Sequence, residues 1–305
     1  MDRRKFLTNS AIGSASLGLG LGHLTKSVDN VTSENPFVLN FAPHFGMFKN
    51  SAGSDLLDQL DFMADVGFRS IEDNGMKNRD VSMQSRIAEK MTKHNMDMGV
   101  FVAHTIYWKE PSLASGNAEK RKQFLSEISD SVEVAKRVNA TWMTVVPGHL
   151  DLRQDMEYQT AHVVETLKRA SQILEPHGLV IVLEPLNFRN HPGLFLTKIS
   201  QAYAICKAVD SPSCKILNDL YHQQITEGNL IPNIDLAWDE IAYFQLGDNP
   251  GRNEPTSGEI NYKNIFKHIH DKGYKGILGM EHGNSLEGET GENRVIQAYR
   301  EVDIS

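Results

Sequence analysis

The sequence is poor in cysteine, has no excess of basic residues and contains no long apolar run. Its 305 residues include only two cysteines, Cys206 and Cys214. Two are too few for a zinc-binding set or a disulfide framework, so we expect two ordinary buried thiols, with a pair between them as the alternative in an exported protein. The net charge is −8, and the absence of a basic cluster argues against a nucleic-acid partner. No apolar stretch is long enough for a confident membrane-spanning helix, so we expect no stable membrane span.

The beginning of the chain differs in composition from the rest. It reads MDRRKFLTNSAIGSASLGLGLG, in which Arg3-Arg4 stand just before Phe6 and a mildly apolar, small-residue run follows. This order is typical of a twin-arginine export signal, and a tail with a chance arginine pair is the alternative. We therefore expect residues 1–34 to be a signal and flexible leader, residues 35–305 to be one folded domain, and the protein to be exported to the periplasm.

From residue 37 onward the chain repeats one pattern eight times, a short apolar run that ends in polar residues and is followed by a helical segment. The apolar runs are residues 38–45, 68–74, 98–105, 141–148, 179–187, 215–222, 242–248 and 275–283. Eight such units in about 260 residues predict an α/β fold of the (β/α)8 TIM-barrel type, in a single domain. An open doubly wound sheet is the rival, but the glycine-rich dinucleotide fingerprint after its first strand is missing.

One helical segment carries clear end signals. In SDLLDQLDFMADVG, Ser54 is expected to cap the first turn and Gly67 to end the helix, because serine accepts backbone N–H groups and glycine tolerates the left-handed conformation.

The ends of the last four apolar runs carry oxygen-bearing side chains, namely Glu184, Asp219, Gln245 and Glu281. Each follows the previous one by about one strand-helix repeat, and consecutive barrel strands are neighbours, so the four can converge. Unpaired carboxylates at buried strand ends are costly, and a divalent cation would neutralise them. An all-oxygen set suits Mg²⁺ or Mn²⁺ better than zinc. Taken singly, each residue is better explained as a helix cap or an ion-pair partner.

Several longer motifs occur in the same half of the chain. They are VLEPLN, NDLYHQQITEGNL, FQLGDNPGRNEPTSGEINY and GYKGILGMEHG. Together they resemble the hydroxypyruvate isomerase family, within the xylose-isomerase-like barrels, most strongly over residues 179–283. The resemblance implies a metal ion at Glu184, Asp219, Gln245 and Glu281, with Glu184 and Glu281 also acting as the acid–base pair. Related ketose 3-epimerases usually have histidine in place of Gln245, which favours the isomerase branch.

Four further residues are candidates for substrate binding. Arg252 is suited to a bidentate contact with a substrate carboxylate, and an ion pair with Asp248 or Glu254 is its alternative role. Glu254 is expected to orient Arg252 or to bind a substrate hydroxyl. His222 and Asn187 each have two open roles: His222 binds substrate or is structural, and Asn187 orients Glu184 or binds substrate.

Five other residues near the strand ends are assigned mainly structural roles. Three histidines that end predicted strands are expected to be buried packing residues rather than substrate contacts; they are His44, His104 and His149. Trp108 covers the pocket or belongs to the core. Glu259 is expected to support the start of the helix that follows it.

The resemblance implies conversion of hydroxypyruvate to tartronate semialdehyde through an enediolate. Two other functions stay open, an exported ketose 3-epimerase or keto-sugar isomerase with the same metal site, and a non-catalytic sugar-binding barrel. Export favours a carbohydrate, whereas a complete set of oxygen ligands favours catalysis. The expected partner is a small hydroxy-carbonyl or sugar molecule, and a homo-oligomer is left open.

Overall fold

The computed structural model describes residues 36–304. The export signal and leader expected at residues 1–34 lie outside this range, as do residues 35 and 305. The expected division at residue 35 therefore stays a prediction.

Eight short parallel strands alternate with helices across the described residues. The strands are β1 Asn40–Ala42, β2 Ser70–Ile71, β3 Asp97–Met98, β4 Trp142–Val145, β5 Val180–Leu183, β6 Cys214–Asp219, β7 Ile241–Gln245 and β8 Ile277–Gly279. All eight overlap predicted apolar runs and are shorter than those runs, although β3 shares only Met98 with its run. The difference lies mainly at their carboxyl ends, where the polar residues leave the strand and enter loops or helices.

The strands close into a ring. Six of them form one parallel sheet in the order β1-β8-β7-β6-β5-β4, and β2 pairs with β3. Isolated parallel bridges join the two sheets, His44 to Glu72 on one side and Val102 to Thr144 on the other. The arrangement confirms the predicted TIM barrel.

Ten α-helices surround this ring within residues 36–304. They are α1 Lys49–Ala52, α2 Leu56–Val66, α3 Val81–His94, α4 Ala118–Val138, α5 Met156–Leu174, α6 Ile199–Val209, α7 Leu220–Thr226, α8 Leu230–Ala237, α9 Tyr262–Asp271 and α10 Gly288–Val302. None of them is both long and apolar enough to cross a membrane. The main hydrophobic core includes buried residues of both strands and surrounding helices, among them Phe41, Phe244 and Phe266.

The ends of α2 confirm one prediction and correct another. Gly67 ends the helix in the left-handed conformation, with φ of 110°. The expected cap at Ser54 is wrong, because the neighbouring Asp55 accepts the Leu57 N–H at 2.8 Å. Serine and aspartate are both good caps, so their adjacency left the sequence ambiguous by one residue.

A second, smaller apolar cluster lies against the strands. It consists of Ala42, Val100, Val182, Leu217, Tyr243 and Ile277. Side chains alternate between the two faces of a strand, so a residue two positions later points to the same face. Two positions after Val182, Leu217 and Tyr243 come Glu184, Asp219 and Gln245. Three of the four predicted ligands therefore form the next layer above this apolar cluster, at the carboxyl ends of the strands.

Candidate active site

The structure brings the four predicted ligands to one end of the barrel. Asp219 and Gln245 are the last residues of β6 and β7 and are paired in register, while Gln245 pairs with Gly279 of β8. Glu184 follows β5 directly, and Glu281 comes two residues after β8. Glu184, Asp219 and Gln245 are buried, and the Glu281 side chain keeps 26% of its surface exposed.

Two of the three carboxylates lie close together, and the third, Glu281, is linked to Asp219 through Arg252. Ligand atoms of Glu184, Asp219 and His222 lie within 4.8 Å of one another. The Nη2 atom of Arg252 donates to Asp219 Oδ2 at 3.0 Å and to Glu281 Oε2 at 2.8 Å. Arg252 therefore supplies counter-charge to two of the acids. The ion pairs considered from the sequence, with Asp248 or Glu254, are not the ones Arg252 makes.

Crowding changes the acidity of these groups. Burial first, and the nearby Glu281 carboxylate second, raise the pKa of Glu184 well above its usual value. Burial likewise raises the pKa of Glu281, and Asp219 adds to the effect while Arg252 opposes it. Negative charge at this point is thus under-compensated by the protein alone, the condition that a bound cation relieves.

Gln245 offers the clearest sign that the site fits a cation. Its Nε2 group donates to Glu72 at 3.3 Å, whereas its Oε1 atom is buried and has no hydrogen-bond partner among the described residues. A buried carbonyl oxygen without a donor is unfavourable, and a metal ion would satisfy it. The donor set of three carboxylates and one amide oxygen suits a hard divalent cation. Glu184, Asp219, Gln245 and Glu281 would hold it.

His222 lies close enough to be a ligand, but its hydrogen bonds assign it another role. It belongs to the first turn of α7 rather than to β6 as expected, and its Nδ1 accepts the Asn187 backbone N–H at 3.2 Å. Burial lowers the pKa of His222 to about 4, so the ring is neutral at pH 7. Its single ring proton is therefore on Nε2. The Nε2 atom lies 3.6 Å from Asp219 Oδ2 and has no hydrogen-bond partner among the described residues, so its N–H is free to donate.

Asn187 holds that histidine in place. Its Oδ1 atom accepts the backbone N–H groups of Arg189 and Asn190, which fixes the orientation of the amide. Its Nδ2 group is then directed to His222 Nδ1 at 2.7 Å. Both Asn187 and His222 are fully buried. The structure thus places Asn187 behind His222, and no hydrogen bond joins it to Glu184 among the described residues.

Glu254 lies apart from the acidic cluster. It is fully buried and accepts from the backbone N–H of Ser285 at 2.9 Å and from the Ser285 hydroxyl. The expected contact between Glu254 and Arg252 is not made. Glu254 instead ties the loop after β7 to the loop after β8, and thereby supports the segment that carries Arg252.

Two residues of the site, Glu72 and Asn74, were not predicted from the sequence. Glu72, just after β2, is buried and contacts Gln245 and Tyr243. Burial and Glu281 raise its pKa well above the usual value. Asn74 donates to Glu281 Oε1 at 2.8 Å, and its own Oδ1 is buried without a partner among residues 36–304. The signal was the polar triplet EDN at the end of the second apolar run.

Two cavities adjoin the cluster. One of about 280 Å³ is lined by Glu72, Asn74, Arg79 and Glu281 among others, and reaches the acids directly. A neighbouring cavity of about 420 Å³ shares Asn74 and extends to His104 and Trp108. The first four strand-helix units therefore provide much of the wall of the space beside the acidic cluster.

His104 and Trp108, two of the residues assigned mainly structural roles, have different surroundings. His104 is buried, accepts the Val146 N–H at 3.2 Å and packs against Phe124, as a packing histidine should. Trp108 is 46% exposed and stacks on His191 at 5.2 Å, so it is not a core residue.

The two other histidines and Glu259 lie in loops. His44 contacts the carbonyl oxygens of Phe45 and His282, and His149 contacts that of Leu150. Glu259 accepts from Gln224 and Asn249, whereas Asn261 caps α9, so the expected helix support by Glu259 is wrong.

This barrel is similar to known proteins in sequence. A family model described as xylose isomerase-like TIM barrel matches residues 60–301. Hydroxypyruvate isomerase of Escherichia coli (strain K12) is 28% identical over 268 residues, 87% of this chain and 99% of that protein. A 2-oxo-tetronate isomerase of Pectobacterium atrosepticum is 26% identical over 246 residues, 77% of this chain and 89% of that protein.

A solved structure extends the likeness to the backbone. The crystal structure of a Brucella melitensis protein titled AP endonuclease, family 2, matches with a TM-score of 0.74 and 26% identity, over 83% of this chain and 96% of that one.

The chain belongs to the xylose isomerase-like TIM barrel family. Within it, the similarity to hydroxypyruvate and 2-oxo-tetronate isomerases confirms the resemblance noted from the sequence, and the protein is an enzyme of the isomerase class. The non-catalytic sugar-binding alternative is accordingly set aside.

Proposed function

We propose that the protein is a metal-dependent isomerase of small 2-oxo, 3-hydroxy acids, with hydroxypyruvate as the first candidate substrate. The observation that carries the proposal is the buried, unpartnered Gln245 Oε1 on the residue paired in register with Asp219, at the end of the barrel where Glu184 and Asp219 lie close together. We assign Mg²⁺ or Mn²⁺ to this set because all four protein donors are oxygen atoms. The relatives that act on hydroxypyruvate and 2-oxo-tetronate support the substrate class.

The reaction moves one hydrogen between neighbouring carbons. A proton leaves the C3 hydroxymethyl carbon of hydroxypyruvate to a carboxylate, which leaves an enediolate. A proton then returns to C2, and the proton of the C3 hydroxyl passes to the C2 oxygen as the aldehyde forms, so atoms and charge balance. A bound divalent cation supplies electrostatic stabilisation of the negative charge that develops on the substrate oxygens.

Glu184 and Glu281 are the groups assigned to proton transfer. Burial keeps the pKa of each raised in the metal-free protein, so each carboxylate holds a proton more readily than an exposed glutamate. General acid–base catalysis of this kind contributes about 10² to 10⁴ in rate. Asn74 donates to Glu281 and so fixes the orientation of that carboxylate.

Arg252 and His222 are the groups assigned to substrate recognition. The Arg252 side chain keeps 29% of its surface exposed, and its Nε atom has no hydrogen-bond partner among the described residues. That leaves donors available for a substrate carboxylate. The Nε2–H of His222, aimed into the cluster by Asn187, is a donor for a substrate oxygen. Glu254 holds the loop of Arg252 and is given no direct substrate contact.

The second candidate is an epimerase or isomerase of keto-sugars, and one observation favours it. The cavity of about 420 Å³ beyond Asn74 is larger than a three-carbon acid needs. A four-carbon acid or a longer sugar would occupy this space, whereas hydroxypyruvate would leave it to water.

Chelation followed by metal return tests the proposal. The protein is stripped with EDTA, and Mg²⁺ or Mn²⁺ is restored before turnover of hydroxypyruvate, 2-oxo-tetronate and a panel of ketoses is followed by NMR in D₂O. We expect activity only after metal return, and solvent deuterium at C2 of the product. Full activity in the chelated protein would contradict metal dependence, and turnover confined to ketoses would favour the second candidate.

We further propose that residues 1–34 direct export through the twin-arginine route, on the strength of Arg3-Arg4 and the small apolar run after them. Cell fractionation of the full chain and of an Arg3→Lys, Arg4→Lys variant tests it. The full chain should appear in the periplasm and the variant in the cytoplasm; equal distribution of both would remove the assignment.

A further inference from the structure

Gln245 must have its amide correctly oriented to bind a metal ion, a requirement that carboxylate ligands do not share. The oxygen and nitrogen ends of an amide have nearly the same shape, but only the oxygen binds a cation. A carboxylate presents oxygen whichever way it turns. Whatever contacts the NH₂ group of Gln245 therefore decides whether an oxygen or a nitrogen faces the metal position.

Glu72 makes that contact. Its two carboxylate oxygens each accept from Gln245 Nε2 at 3.3 Å, and Oε2 also accepts from the Tyr243 hydroxyl at 3.2 Å. All three side chains are almost completely buried, with at most 1% exposed. With Glu72 ionised, a flipped amide would bring Gln245 Oε1 against carboxylate oxygens in a region sheltered from water, which is strongly unfavourable.

Two glycines keep space for this arrangement. A Cβ atom on Gly279, the register partner of Gln245, would lie 1.9 Å from Glu72 Oε2. A Cβ atom on Gly99 would lie 2.4 Å from the Tyr243 hydroxyl. Any larger residue at either position would displace the Glu72–Tyr243 pair. The barrel interior is thus shaped around a carboxylate that comes from β2 and meets a ligand on β7.

We propose that Glu72 is a positioning residue that holds the Gln245 amide with its oxygen toward the metal ion. The inference rests on the proposed metal site and adds to it a residue from the other half of the barrel. Glu72 acts through Gln245 and touches neither metal nor substrate. Partners of this kind behind metal ligands typically contribute about 10- to 100-fold in metal affinity.

Mn²⁺ binding to the full chain, measured by titration calorimetry and by the loss of free-ion EPR signal, tests the proposal. Glu72→Gln keeps the shape but replaces one acceptor oxygen by a donor, so the Gln245 amide loses its fixed orientation. We expect Mn²⁺ affinity to fall about 10-fold or more. Unchanged affinity in Glu72→Gln would overturn the inference.

An exchange of the two side chains separates positioning from a general structural role. In Glu72→Gln with Gln245→Glu, the new carboxylate at 245 presents oxygen in either orientation, and the amide at 72 donates to it. We expect affinity to return to within about threefold of the wild type. A double variant that binds no more tightly than Glu72→Gln would contradict the proposal, because a structural defect would persist in both.

Asp73→Asn is the matched control for charge alone. Asp73 is the next residue, also buried, and pairs with Arg79 at 2.5 Å rather than with a proposed ligand. Removal of the Asp73 charge should change Mn²⁺ affinity less than about threefold. A fall in affinity as large as that of Glu72→Gln would assign the effect to net charge and overturn the positioning role.

A second variant covers the case in which Glu72→Gln does not fold. Tyr243→Phe removes one donor to Glu72, and we expect a two- to fivefold loss of affinity, about one hydrogen bond. No loss in Tyr243→Phe would count against the inference. Wild-type protein that binds no Mn²⁺ would overturn the metal site and this inference together, whereas tight wild-type binding with an indifferent Glu72→Gln would overturn the inference alone.

Discussion

The two halves of the barrel contribute different things to the site. Strands β5 to β8 lie side by side in one sheet and carry all four proposed metal ligands at their ends. Strands β2 and β3 have two residues each and join the ring through isolated bridges. This first half supplies no proposed metal ligand, but it supplies Glu72, Asn74 and much of the cavity wall.

The second half of the barrel therefore holds the groups proposed for catalysis, and the first half shapes the cavity beside them. Regular strands fix ligand positions, because their register determines which side chains point into the barrel. Loops that leave short strands are freer in length and direction, so they suit the shaping of a substrate cavity. We therefore expect substitutions in the second half to abolish turnover, and substitutions in the first half to change affinity, metal loading or substrate preference.

Loss of a ligand in the second half should have the largest effect. Asp219→Asn keeps the oxygen that caps α7 but removes a negative charge from the cluster. We expect kcat to fall about 10³-fold or more, because charge stabilisation in the reaction is lost with the cation. The measurement is turnover of hydroxypyruvate with saturating Mg²⁺. Glu259→Gln, a substitution in an exposed contact with Gln224 and Asn249, is the control and should keep wild-type turnover.

Arg252 should show the next largest effect, and a selective one. Arg252→Lys retains charge but loses the planar pair of donors, so KM for a carboxylate substrate should rise about 30- to 100-fold. A substrate of similar size without a carboxylate should be nearly unaffected. Equal losses on both substrates would show that Arg252 serves the acidic cluster rather than the substrate.

The charged cluster itself should make metal stabilisation depend on pH. Burial raises the pKa of Glu72, Glu184 and Glu281 in the folded, metal-free protein. The folded state therefore binds more protons than the unfolded state, and stability falls as pH rises from about 4.5 toward the raised values.

Bound metal should offset the loss of folding stability that accompanies rising pH. We expect Mn²⁺ to raise Tm by at least about 3 °C more at pH 8 than at pH 5.5, measured by differential scanning calorimetry. The same experiment on Asp219→Asn should show a smaller increase. A metal-induced shift that is equal at both pH values would indicate that the cation binds away from these carboxylates.

Asn74, in the first half, should have the smallest effect. Asn74→Ala removes the hydrogen bond to Glu281 Oε1, and we expect about a 10-fold fall in kcat/KM with metal affinity within threefold of the wild type. Ser82→Ala on α3 is a suitable control. A loss as large as that of Asp219→Asn would erase the proposed division between the halves.

The sequence predicted the second half well for a physical reason. An apolar strand that ends in a carboxylate is a strong local signal, and the eightfold repeat specifies which ends are neighbours. Glu184, Asp219, Gln245 and Glu281 were found in this way. Their placement at one end of the barrel needed only the order of the strands.

Other features depend on contacts that no local pattern encodes. Glu72 lies in a polar triplet that resembles a surface loop until the ring closes and brings it against Gln245. The donor role of His222 is set by Asn187, 35 residues earlier. Glu254 was placed beside Arg252 by proximity in the chain, but the fold turns it to Ser285.

Anomalous diffraction from crystals of the full chain grown with Mn²⁺ tests the central claim most directly. We predict one strong peak with oxygen atoms of Glu184, Asp219, Gln245 and Glu281 at about 2.2 Å and with the guanidinium of Arg252 withdrawn from Asp219. A peak elsewhere, or ligation through His222 in place of Gln245, would contradict the account.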